Sequence, residues 1–205
     1  MGKFIDLSVS INEDMPVFPG DPKIKIESAS DFEKDGFRQH SVSICTHTGT
    51  HIDAPYHILY NGKRLDQFPI YQFIGRGVYI KFDEDFEFTD IEEMDIREGD
   101  IVLFHTGMSD VYSQPEYFNS YPNIDEEIAS FLAAKRIKMV GVDMCSVDTK
   151  ESFPVHKILL KNNILIIENL TNLDQLEGKQ FKVYALPLKL HLDGAPIRVI
   201  TEINE

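Results

Sequence analysis

The chain has 205 residues, 42% of them hydrophobic and 26% charged, and 34 acidic against 20 basic side chains give a formal net charge of −14. That balance belongs to a soluble globular protein with a sizeable core, and it excludes a nucleic-acid binder, because an acidic surface repels phosphate backbones. No apolar run approaches the roughly 18 residues a membrane span needs. Cys45 and Cys145 lie far apart and outside any CxxC pair, which fits a reducing, cytoplasmic setting.

The N-terminal "FIDLSVS" (4–10) alternates, with Ile5, Leu7 and Val9 on one face, and reads as a strand rather than a secretory leader. "KIKIE" (23–27) repeats the pattern with Ile24 and Ile26. A further strand is expected through residues 41–53. The connection 58–74 has no clean period, and connections of that length are often functional. "GVYIKF" (77–82), "IVLF" (101–104), "MVGVD" (139–143), "ILIIE" (164–168), "KVYAL" (182–186) and "IRVITEI" (197–203) are further short strands, several apolar throughout.

The best helix covers about 124–136, with Ile124, Ile128, Phe131 and Leu132 on one stripe and Asn123 with Glu126 as a capping box. A second starts near Pro154 and ends at Asn162 and Asn163. Many short strands with few helices predict a single α/β domain over residues 1–205. Its expected architecture is a mixed β-sheet or partly closed barrel with a few flanking helices, of the swivelling β/β/α type.

Residues 47–57, "HTGTHIDAPYH", hold three of the seven histidines together with Asp53. On a helix His47 and His51 would align while Asp53 pointed off their face, and Gly49, Thr50 and Pro55 disfavour a helix here. On a strand, positions 47, 49, 51 and 53 share one face, and Gly49 would leave room for an ion between the two histidines. The same parity sends Val42 and Ile44 to the core and Ser41, Ser43 and Cys45 to the ligand side. His156, near a helix start, and Glu168, closing an apolar strand, are further candidates. An ionisable side chain after "ILII" is costly to bury unless paired or bound to a metal.

Three imidazoles (His47, His51, His156) and two carboxylates (Asp53, Glu168) suit one or two zinc or manganese ions. Pro55 redirects the chain before His57, leaving that imidazole at the site's edge as a general acid/base. The alternatives are a sixth ligand or a residue that orients one. His40, His105 and His191 have no partners in sequence and read as structural. The two cysteines read as small core residues.

The string from His47 to His57 resembles the signature of the metal-dependent cyclase-like hydrolases, whose best-known members are the bacterial kynurenine formamidases. "MPVFPGDP" (15–22), "GVDMCSVD" (141–148), the separation of His156 from Glu168, and "GAPIRVI" (194–200) extend the likeness across nearly the whole chain. The resemblance implies that His47, His51 and Asp53 hold one zinc, and that Asp53 and Glu168 bridge to a second held by His156. It implies His57 as proton donor and acceptor, Phe18 on the substrate pocket, and a homodimer or larger homo-oligomer with sites near the interface. Two departures stand out. Phe18 occupies a place where the formamidases usually have tryptophan, and Met144-Cys145 one where they tend to have Thr-Pro.

The activity expected is metal-dependent hydrolysis of a small aromatic N-formyl amine, with N-formyl-L-kynurenine the first candidate, giving L-kynurenine and formate. One alternative is a cyclic amide, isatin-like, or another small carbonyl substrate. The other is a non-catalytic metal- or small-molecule-binding protein, against which a free His57 beside a full ligand set argues.

Overall fold

Runs such as "IVLF" and "ILII" are apolar at every position because both faces of those strands are covered. The computed structural model describes residues 2–203. Its strands are β1 (Lys3–Asp6), β2 (Lys25–Ser30), β3 (Gln39–Ser43), β4 (His51–Asp53), β5 (Ile74–Lys81), β6 (Ile101–His105), β7 (Met139–Val142), β8 (Leu165–Glu168), β9 (Phe181–Tyr184), β10 (Gly194–Pro196) and β11 (Ile200–Ile203). Nine of them form one mixed sheet in the order β1-β11-β9-β5-β6-β7-β8-β4-β10. The central β5 to β8 run parallel, and the remaining neighbours are antiparallel.

Alternate side chains divide between two cores. Ile101, Leu103, Met139, Leu165 and Ile167 point to an inner core, which also takes Ile5, Ile52, Val183 and Ala195 from strands nearer both edges. Val102, Phe104, Val140, Val142 and Ile166 point the other way, beneath the helices. Each fully buried aliphatic side chain contributes roughly 1.5–3 kcal/mol. The sheet curls around the inner core: Ser8, just past β1, bridges Leu170, just past β8, and Thr171 N–H donates to the Leu7 carbonyl at 3.0 Å. This is the partly closed α/β barrel that the strand pattern predicts.

Helices α1 (Phe32–Asp35), α2 (Phe88–Glu93) and α3 (Glu116–Asn119) are short, while α4 (Glu126–Lys135) and α5 (Pro154–Lys161) are the longer pair. Ile128 and Leu132 of α4 are buried, as is Ile124 just before it. The predicted cap is displaced, however. Asp125 is the N-cap, and the Asn123 amide oxygen instead accepts from Thr149 N–H at 3.3 Å and Thr149 Oγ1–H at 3.1 Å. Arg136 stops the helix in the left-handed region at φ 55°. Helix α5 begins at Pro154, as expected. No helix among the described residues is long and apolar enough to cross a membrane.

The strand expected through 41–53 is two elements. β3 pairs with β2 in a separate two-stranded ribbon, and Val42 and Ile44 are 53% and 38% exposed rather than in the core. A turn over residues 46–50, with Gly49 at φ +62°, breaks the strand between β3 and β4. The connection 58–74 is less irregular than its sequence suggests. It folds into 3-10 turns at Leu65–Gln67 and Ile70–Phe73, which seat Leu65, Phe68 and Phe73 in the inner core.

Candidate active site

β4 lies against β8 in a register that sets His51 opposite Glu168 and Asp53 opposite Ile166. Ile52, between them, is fully buried in the inner core. His51 and Asp53 therefore emerge on the other face, where the first turn of α5 brings His156 over Glu168. The period-two reading holds for His51 and Asp53 but not for His47, which arrives from the 46–50 turn. Nor does Gly49 make space for an ion. A Cβ there would press on Met15 Cε at 3.1 Å and Val9 Cγ2 at 3.3 Å, so glycine serves the positive φ and the close approach. The glycine that makes room is Gly194, paired with Asp53 across the strands. A Cβ at that position would meet the Ile52 carbonyl at 2.7 Å and His47 Cε1 at 3.2 Å.

All six predicted site histidines and carboxylates come together. Asp53 is the hub: His47 Nδ1 lies 2.7 Å and His51 Nε2 3.5 Å from its Oδ1, and His156 Nε2 lies 3.5 Å from its Oδ2. Glu168 is 3.5 Å from His51 Nε2 and 3.4 Å from His156 Nε2. The second nitrogen of each of these three rings is anchored outside the cluster. His47 Nε2 is 2.8 Å from Asp193 Oδ2, His51 Nδ1 is 2.8 Å from the Gly49 carbonyl, and His156 Nδ1 is 2.8 Å from Asp148 Oδ2. An acceptor on one imidazole nitrogen fixes the tautomer and aims the other, as metal-ligating histidines require.

His57 is held differently. Pro55 starts a 3-10 turn, Pro55–His57, which takes the ring off the strand face, as predicted. Its Nδ1 is 3.7 Å from Asp193, beyond hydrogen-bond length, and its ring centroid is 4.1 Å from that of His47. The ligating atoms of three groups lie within 4.8 Å of one another: His47, His51 and Asp53; Asp53, His57 and His156; and His47, His57 and Asp193.

Charge separates the same residues. Burial disfavours a cationic His47, but Asp53 and Asp193 override it and raise its pKa to about 10. His51 is raised against burial by Asp53 and Glu168, and His156 by Asp148, Asp53 and Glu168. Burial likewise opposes ionisation of Asp53 and Glu168, yet the imidazoles hold both below the usual carboxylate range. In His57 burial prevails, reinforced by repulsion from His47 and His156, and its pKa is lowered. The field around Asp53 favours positive charge, and at His57 it favours the neutral ring.

His47, His51, His57, His156 and Glu168 floor a cavity of about 420 Å³, on whose wall Phe18, Phe118, Tyr121 and Phe153 stand. Phe18 comes from the 15–22 loop and meets Phe118 edge-on, with centroids 6.0 Å apart. A wider surface groove along residues 56–64 shares His57 with the cavity and also reaches Asp193, the anchor of His47. Of the two departures from the formamidase pattern, Met144 is fully buried in the outer core, while Cys145 lines the cavity. Burial and then Glu168 push the Cys145 thiol up to about 12, so it stays protonated and is a poor nucleophile. His40 is exposed on β3, His105 contacts Tyr79 at 2.8 Å and His191 pairs with Asp66 at 3.0 Å, all outside the cluster. The residues that sequence reading missed are Asp148 and Asp193. The first lies inside the quoted "GVDMCSVD" and the second immediately before "GAPIRVI".

A family model described as "Putative cyclase" matches residues 5–149. The chain belongs to this cyclase family. It is 38% identical to an uncharacterized protein of Methanocaldococcus jannaschii over 89% of this chain and 91% of that one. It is 30% identical to a kynurenine formamidase of Geobacillus thermodenitrificans over 97% and 96% of the two chains. Among solved structures it is similar to one described as a potential metal-dependent hydrolase with cyclase activity (31% identity, TM-score 0.84, all of both chains). It is also similar to isatin hydrolase A from Labrenzia aggregata bound to benzyl benzoate (26% identity, TM-score 0.85, 99% and 94% of the chains).

Proposed function

We propose that this cyclase-family protein is a metal-dependent amide hydrolase that cleaves N-formyl-L-kynurenine to L-kynurenine and formate. The observation that carries the reading is the convergence of three imidazoles, each anchored through one nitrogen, on the two oxygens of Asp53, with the same imidazoles lining a cavity that has aromatic side chains on its wall. The donor set fits a divalent ion. His51 Nε2 and both Asp53 oxygens are buried and, although they face one another and the His47 and His156 rings at 2.7–3.5 Å, none of them makes an aligned hydrogen bond among the described residues, an arrangement costly to bury unless a ligand satisfies it. On this reading His47, His51, Asp53, His156 and Glu168 would hold one or two such ions. Zinc is the proposed metal, with manganese able to replace it. A divalent ion bound there supplies Lewis acidity and lowers the pKa of water.

The remaining work belongs to side chains. Phe18 stacks on the aryl ring of the substrate and the other cavity aromatics exclude water. His57, neutral and unanchored, would take a proton from the attacking water and pass it to the leaving amine nitrogen. Replacing Phe18 with alanine is expected to raise KM for an aryl formamide roughly 2–10-fold while changing a small aliphatic formamide little. Equal losses on both would mean that Phe18 only holds its loop.

The cavity wall also bears on the substrate. Among the described residues Lys150 is the one lysine or arginine lining it, and Asp21 and Glu151 line it too. A head group with both a carboxylate and an ammonium finds partners of each sign there. N-formyl-kynurenine carries such a group, and isatin does not. Isatin remains the second reading because of the likeness to isatin hydrolase A. Turnover of both compounds by wild type and Lys150→Met separates them. The expected result is preference for N-formyl-kynurenine, with KM raised roughly tenfold or more in the variant and isatin unaffected. Faster isatin turnover by wild type, with Lys150→Met neutral on both, would sink the formamidase assignment. The reading includes a cytoplasmic enzyme working as a homodimer or larger homo-oligomer, which sedimentation at assay concentration checks.

A further inference from the structure

The cluster's anchors are not all carboxylates. His51 is held by a backbone carbonyl, and that carbonyl is itself held. The Tyr117 hydroxyl, fully buried in α3, donates to Asn169 Oδ1 at 2.7 Å. Burial pushes the Tyr117 pKa up, so the phenol remains a donor. With Oδ1 accepting, the other end of the amide must donate, and Asn169 Nδ2 does so to the Gly49 carbonyl at 2.9 Å. His51 Nδ1–H donates to the same carbonyl at 2.8 Å, beside Asn169 Nδ2 at 3.3 Å. A carbonyl fixed in this way keeps the proton on Nδ1 and leaves Nε2 facing Asp53 and Glu168.

Asn169 is tightly placed. It sits at φ +59° directly after Glu168, its N–H donates to the Met144 carbonyl at 3.0 Å, and its carbonyl accepts from Thr50 Oγ1 at 2.6 Å. At its far end the chain of contacts reaches the cavity wall, because the Tyr117 ring meets Tyr112 and Phe118 edge-on at 4.9 and 5.0 Å. Neither Tyr117 nor Asn169 is used by the proposed chemistry.

We propose that Tyr117 and Asn169 are positioning residues: through the Gly49 carbonyl they hold His51 in its ligating orientation and tie the aromatic wall of the cavity to the metal site. The inference rests on the metal-dependent reading above. Asn169→Gly removes the side chain while suiting the positive φ, and Tyr117→Phe removes only the hydroxyl. Zinc affinity is measured for wild type and both variants by competition with a chelator, alongside the thermal midpoint of each metal-free protein. Asn169→Gly is expected to weaken zinc binding about 10–100-fold, and Tyr117→Phe to do so by less, since the amide stays but its orientation is no longer fixed. A merely structural role would lower the metal-free midpoints and leave affinity alone. Wild type that binds zinc while both variants stay within about twofold of it overturns the inference and spares the metal reading. Wild type that binds no zinc removes both.

Discussion

Stripping divalent metal from the purified protein is expected to lower hydrolysis of N-formyl-kynurenine by more than about 10³-fold, with recovery on adding zinc or manganese. The reason lies in what else the cavity offers. Cys145 is held protonated by burial, His57 lacks a hydrogen-bonded carboxylate partner, and among the described residues none of the wall hydroxyls of Thr48, Ser146 and Thr149 is hydrogen-bonded to an imidazole, so no hydroxyl or thiol there is an activated nucleophile. The fold should survive the treatment, because the two apolar cores on either side of the sheet hold it together. Circular dichroism and metal analysis on the same sample check both halves. Undiminished turnover in a verified metal-free protein would remove the mechanism, and recovery with only one of the two metals would identify the working ion.

The second large effect separates His57 from His51. His57→Gln is expected to retain metal and lose turnover by roughly 10²–10⁴-fold, as for a displaced general acid. His51→Gln should lose metal and activity together. His51 is anchored at Nδ1 and aimed through Nε2 at Asp53 and Glu168, whereas His57 has no comparable anchor and lies off the strand face. His57 nevertheless stands within ligating reach of Asp53 and His156, so the comparison is a real test. If His57→Gln empties the site as fully as His51→Gln, His57 is a ligand and the proton must come from elsewhere.

Much of this arrangement was legible because it follows from local rules. Period-two alternation marked the strands, full apolarity marked those buried on both faces, and parity within β4 put His51 and Asp53 on one side with Ile52 on the other. Pro55 announced the bend before His57. What failed were extrapolations across a break. Carrying strand parity from 53 back to 42 ignored a turn that Gly49 permits, and so it misplaced His47, Val42 and Ile44. The anchoring carboxylates were hidden for another reason. Asp193 reaches His47 only because β10 pairs with β4, and no local pattern encodes a contact across 146 residues. Asp148, eight residues from His156, was within reach: an acidic residue shortly before a proline-started helix is a plain capping signal. It accepts the Val155 and His156 N–H groups at 3.0 and 2.9 Å while orienting the His156 ring. The Tyr117–Asn169 support needed coordinates, since it runs through a backbone carbonyl.

Anomalous diffraction from crystals of the zinc-loaded protein, recorded on either side of the zinc absorption edge, tests the central claim most directly. The account predicts a peak held by His47, His51 and Asp53, with any second peak beside His156 and Glu168. His57 should lie outside the coordination distance of about 2.0–2.2 Å. Zinc located elsewhere on the protein, with Asp53 bound to none of it, would contradict the account.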